Sequence, residues 1–222
     1  MHTIFKNGFD AARKNFCPGI LLQSFALTLV LLYYFNPATR NFLLKIPEIK
    51  QRMGLFFPAL STAFFGGLIP FLFLLIRKEI PQGRRIPHLL FMLGFWAVLG
   101  LSIDALYKGQ AVLFGDQNDA ATIIKKVLVD QFVFSVLWSA PFTAFAMHWK
   151  EHDFSFRAAK NAFSRKIITR NIPSILIALW GVWIPAVAII YSLPLALQFP
   201  LFNIVLCFWS LLITTLNNGE EA

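Results

Sequence analysis

The chain has 222 residues, 57% of them hydrophobic, 16% aromatic and only 14% charged, with a mean hydropathy of +0.64. Soluble domains run at roughly 45–50% apolar and ~25% charged, so too few polar side chains remain to coat a water-facing exterior, which excludes an ordinary soluble domain. The net charge of +9 would suit nucleic acid, but the 20 Lys and Arg residues fall between apolar runs rather than on one face or arm, which argues against such a footprint.

The composition predicts an all-α, polytopic membrane helix bundle of about six transmembrane helices, within a range of four to six. Residues 1–17 are expected to form an N-terminal interfacial segment, 18–216 a single transmembrane domain and 217–222 a polar tail. No A-x-A-like cleavage site follows the first apolar run, so that run is expected to remain as an anchor. Cys17 and Cys207 are the only cysteines, and a disulfide framework is not expected.

In chain order, Pro18 suits a first helical turn, and Gly19 to Phe35 is the first apolar run, with Tyr33 and Tyr34 where an aromatic belt would lie. Asn41 to Met53 is a charged connector. Leu55 to Ile76 is the second run, where Ala59, Ala63 and Gly67 recur every fourth residue and offer a small-residue face for helix packing. Pro70 predicts a kink in it. Arg77 to His88 is a basic loop with two prolines and a glycine.

The third run, Leu89 to Tyr107, carries Asp104 near its end. An acid inside a span is a functional candidate, although here it can also reach the interface beside Lys108. Lys108 to Lys126 is a turn-rich return. The fourth run, Lys125 to Trp149, joins a basic doublet and the Asp130-Gln131 pair to an apolar stretch of spanning length.

Gln131, Ser135, Ser139 and Thr143 follow a four-residue repeat along that run, which drifts about 40° per step on a 3.6-residue helix. They form one polar stripe. One use of it is a solute path with Asp130 and Gln131 at its mouth; another is packing against a small-residue face such as Ala59, Ala63 and Gly67. Packing is the stronger single explanation, and the two are compatible. Asp104, Lys108, Lys125 and Lys126 are candidates for a ring of charge around the same mouth.

The connector 150–171 has the pattern of a basic amphipathic helix lying on a membrane surface. Ile172 to Leu216 is apolar over 45 residues, about 67 Å as helix and enough for two crossings, with the break expected between Ser192 and Pro200. With six spans, 13 of the 20 basic residues fall on one side, which places both ends of the chain in the cytoplasm or its equivalent.

Chemistry-bearing motifs are sparse. His148 and His152 share a helix face, but the HExxH order is absent and no further His or Cys stands nearby, so no metal is expected. No phosphate-binding loop, nucleophile elbow or catalytic carboxylate pair occurs. Neither a cofactor nor enzymatic activity is expected.

Lys125-Lys126-Val-Leu128-Val-Asp130-Gln131 resembles the K-K-x-L-x-D-Q approach to a span in the Mpv-seventeen and 22-kilodalton peroxisomal membrane protein family. Leu193-Pro194-Leu195 followed by Cys207-Phe208-Trp209 resembles that family's V-P-L element and its terminal tryptophan. The likeness covers about the last hundred residues, with an echo at Gly66 to Pro70. The family's W-P-x-x-Q-x-x-N-F motif is met only by Trp183-Ile-Pro185, and Gln198 stands where an arginine is usual.

The resemblance implies an integral protein of an organelle inner membrane, a peroxisome or a bacterial inner membrane, forming a pore for small solutes. Expected partners are the lipid bilayer, its anionic lipids, small solutes and further copies of the chain, with no nucleic acid. The alternative is a non-conducting scaffold that organises lipid through its basic interfacial helix.

Overall fold

The computed structural model describes residues 16–155, 157, 168 and 172–217. They are almost entirely helical, with no strand among the described residues. Helix α1 (Phe16–Phe35) is followed by two short helices, α2 (Pro37–Leu43) and α3 (Ile46–Met53). Then come α4 (Phe56–Ile76), α5 (Arg85–Phe114), α6 (residues 120–151), α7 (Ile172–Tyr191) and α8 (Leu195–Asn217). The interfacial segment 1–17, the basic helix of 150–171 and the tail fall largely or wholly outside the described residues.

Among the described residues, three helices are long and apolar enough to cross a membrane: Cys17–Phe35, Phe56–Ile76 and Gln82–Phe114. Leu179–Tyr191 and Leu195–Leu211 are shorter apolar helices, and α6 is not among the three. Large apolar side chains point outward along these helices, among them Leu21 and Leu31 on α1, Leu60 and Leu72 on α4, and Leu90 and Val98 on α5. So much exposed apolar surface is compatible with integration in a membrane.

Leu22, Ala26, Val30 and Tyr33 put one face of α1 into the core, against Val182, Ala186 and Ile190 of α7 and Val205 and Trp209 of α8. Phe25 stacks on Phe208 at 4.6 Å. The end of α1 is fastened where the Tyr34 hydroxyl donates to the Ser192 carbonyl, 2.8 Å away. Asn36 then caps α2, accepting from the Thr39 amide at 3.0 Å, with Pro37 in the first turn.

The small-residue face of α4 packs on α5. A Cβ placed on Gly67 would lie 3.0 Å from the Met92 carbonyl oxygen, and one on Gly66 2.7 Å from the Trp96 ring. In return, Gly100 of α5 approaches the Pro58 carbonyl of α4. The Ala59, Ala63 and Gly67 row thus meets the third apolar run, not the polar stripe of the fourth.

Instead of a simple kink at Pro70, α4 carries a π-helical segment, Ala63–Leu68, closed by the Ile69 amide bonding the Phe64 carbonyl. Proline lacks an amide hydrogen and crowds the carbonyl four residues back, and a widened turn relieves both. The same arrangement recurs in α6, where Asp130–Ser139 is π-helical ahead of Pro141 and the Ala140 amide bonds the Ser135 carbonyl.

The break between α7 and α8 is shorter than expected. It occupies residues 192–194, while residues 195–199 are helical and Pro200 lies inside α8. The buried Gln198 side chain donates to the Leu193 carbonyl at 2.9 Å, and the Leu197 amide bonds the Pro194 carbonyl at 2.8 Å. The first tethers α8 to the turn through a carbonyl, and the second satisfies one of the free amides of the helix start.

Candidate functional site: a cavity along the polar face of α6

Four helices line a partly open cavity of about 240 Å³: α5, α6, α7 and α8. Helix α6 supplies Asp130, Gln131, Ser135, Ser139 and Thr143, so the whole polar stripe faces this one space. Four residues overshoot a full α-helical turn by about 40°. The wider π turn across Asp130–Ser139 reduces that overshoot, which keeps Gln131, Ser135 and Ser139 aligned along the cavity wall.

The opposing wall is apolar and rich in rings. Phe95, Trp96 and Tyr107 come from α5, Trp180 and Trp183 from α7, and Phe202 and Trp209 from α8. Trp183 lies 6.1 Å from the Phe202 ring and 6.4 Å from that of Trp209.

Asp130 and Gln131 are both buried. One carboxylate oxygen of Asp130 accepts from the Tyr191 hydroxyl at 2.6 Å, and the other from the Gln131 side-chain amide at 2.8 Å. Tyr107 packs edge-on against Tyr191 at 5.2 Å. The Trp180 indole donates to the Gln131 carbonyl at 3.1 Å, one of the backbone groups that the π geometry redirects. Helix α7 therefore holds the start of the stripe at two points, the Asp130 carboxylate and the Gln131 carbonyl.

No protein-family model, curated protein or solved structure matches this chain. Its function is therefore read from its own geometry.

The four residues expected to ring the mouth do not line the cavity. Asp104 is buried and paired twice, with Lys50 of α3 at 2.5 Å and with Lys108 at 2.6 Å. It is thus an ion-paired carboxylate rather than a free one. Lys50 also stands 5.0 Å above the Phe199 ring, so this clasp ties the connector α3 to α5 and α8. Lys125 is exposed, whereas Lys126 is buried and its carbonyl accepts from Gln110 at 3.1 Å.

At the far end of α6, His148, Glu151 and His152 bring three potential ligand atoms within 4.8 Å of one another. Glu151 is thus a third donor beside the histidine pair. Two of the three side chains are exposed, and none lines the cavity.

Sequence reasoning missed Tyr191 and the aromatic wall. Tyr191 stands 61 residues from Asp130, in an apolar run where a tyrosine reads as an interface residue. It also missed the buried polar set in which Asn203 of α8 accepts from Thr62 at 2.8 Å and donates to Ser61 at 2.9 Å. That set locks α8 to α4.

Proposed function

We propose that the chain is an integral membrane protein of six crossings that takes up a small solute in the cavity along α6 and passes it across the bilayer. The observation that carries this reading is that the four residues of the stripe and Asp130 line one cavity, with Asp130 fixed at one end by Tyr191. Polar groups inside a spanning helix are costly and mark solute paths when they face a shared interior space.

Helix lengths support the reading. From Arg85 to Asp104 is about 29 Å along α5, close to the ~30 Å of a hydrocarbon core. The Asp104 clasp then lies at one membrane surface. Tyr107, less than one turn beyond it, touches Tyr191 and brings Asp130 to the same level. Ser135, Ser139 and Thr143 follow inward. Helices α7 and α8, joined by the short turn at 192–194, supply the last two crossings. The resemblance to the Mpv-seventeen family, whose members are taken as pores of inner membranes, agrees with this assignment.

The test is solute flux in vesicles reconstituted with the full chain. Small polar solutes should leak faster than from empty vesicles, and Ser139→Leu with Thr143→Leu, which fill the cavity, should abolish the difference. Flux equal to that of empty vesicles overturns the reading and leaves the non-conducting scaffold.

A further inference from the structure

Two buried carboxylates in this bundle are treated differently. Asp104 has two lysines within ion-pair distance. Asp130 has only neutral donors, the Tyr191 hydroxyl and the Gln131 amide, and no cationic side chain pairs with it among the described residues. A carboxylate offers about four lone-pair sites, so roughly half of its accepting capacity stays open. A buried charge without a counter-charge is unfavourable by several kcal/mol. The site is therefore short of one positive charge.

The cavity that Asp130 borders fits such a charge. Eight of its 21 lining residues are aromatic, so the wall is rich in rings. Ring faces carry negative electrostatic potential and attract ammonium groups, by about 2 kcal/mol or more when water is excluded. No Lys, Arg or His stands among the lining residues to repel a cation or to hold an anion. The volume of about 240 Å³ lies below the ~300–1,000 Å³ of sites for drug-sized ligands, which points to a compact head group. Ser135, Ser139 and Thr143 offer hydroxyls to a short polar tail.

We propose that the cavity binds a small organic cation of the alkylammonium class, with Asp130 as its counter-ion and Trp96, Tyr107, Trp183 and Trp209 as its aromatic wall. This rests on the cavity being the solute site, and it specifies which solutes enter.

Binding can be measured apart from transport, because four of the chain's six tryptophans line the cavity and report on its occupant. The full chain in detergent is titrated with choline and with dimethylbutanol, its uncharged carbon analogue, while tryptophan fluorescence is followed. Choline should saturate the signal and bind about tenfold or more tightly than dimethylbutanol. Asp130→Asn, which keeps an acceptor for Tyr191, should remove that preference. Trp183→Leu should weaken choline about tenfold and change dimethylbutanol little.

Equal affinity for the two compounds, or a preference that survives in Asp130→Asn, overturns the cation assignment even if neutral solutes still cross vesicles. Saturable choline binding without any flux supports the cation assignment and overturns only the transport reading. Absence of binding by both compounds overturns the cation assignment.

Discussion

The Tyr191 hydroxyl is the nearest donor to the Asp130 carboxylate and reaches it from another helix. Tyr191→Phe keeps the ring against Tyr107 and removes the hydroxyl that donates to Asp130. The expected loss is about 1.5–3 kcal/mol, the range for a hydrogen bond to a charged group, measured by denaturant unfolding in detergent. A second acid gives a pH signature. Asp119 caps α6 by accepting from the Ala121 and Thr122 amides at 3.0 and 3.1 Å. Its bonds with Thr122, ahead of the one from Ala121, hold its carboxyl below the usual range. A depressed value means that the cap contributes fully above the ordinary carboxylate range and is lost as pH falls through the lowered one. Amide exchange at Ala121 and Thr122 should therefore accelerate in that acid window relative to the base-catalysed trend, and Asp119→Ala should remove the transition. At this scale an acid in an apolar run was legible, because its cost in lipid demands a reason. Its partners were not, since Tyr191 and Trp180 lie 61 and 49 residues from the groups they bond.

Helix α4 meets α5 backbone to backbone, and the contact leaves no room for a side chain at Gly100. A Cβ there would lie 2.5 Å from the Pro58 carbonyl oxygen and 2.6 Å from the Thr62 side chain. Gly100→Ala should destabilise the fold by about 1–3 kcal/mol, the usual effect of overpacking, whereas Gly94→Ala, with nothing within 4 Å of its added carbon, should not. Thermal unfolding of the two variants side by side checks this. The apolar runs made most helices legible, because burial in lipid requires long uninterrupted segments. The π segments were not legible, since a hydrophobic pattern reports which residues share a face and not which carbonyl each amide bonds. Helices α2 and α3 were hidden by their charge, which reads as a loop until Asn36 and the Lys50 clasp give it a structural purpose. The extent of α8 was misjudged because two prolines suggested one long break, while Gln198 closes the helix start between them.

The proposed six crossings would put the loop after α4 and the turn before α6 on opposite sides of the membrane. With Cys17 and Cys207 replaced by serine, Gly83→Cys and Gln117→Cys should label from opposite faces of sealed vesicles with an impermeant thiol reagent. Labelling from the same face would exclude a single crossing by α5. The basic residues make this orientation an expectation, because positive loops are retained on the cytoplasmic side. The cavity was not legible, since it requires the relative placement of four helices drawn from across the chain. The Asp104 clasp carries one last consequence for the molecule as a whole. Helix α5 has 30 residues, about 45 Å, and continues past the clasp to the exposed Val112 and Leu113. In a bilayer the ion pairs would resist burial of that level of the helix, while the apolar residues beyond it would favour a thicker membrane. Acyl-chain length should therefore be felt at this end of α5: thin membranes would leave its last turns in the headgroups or tilt it, and thicker ones would cover them.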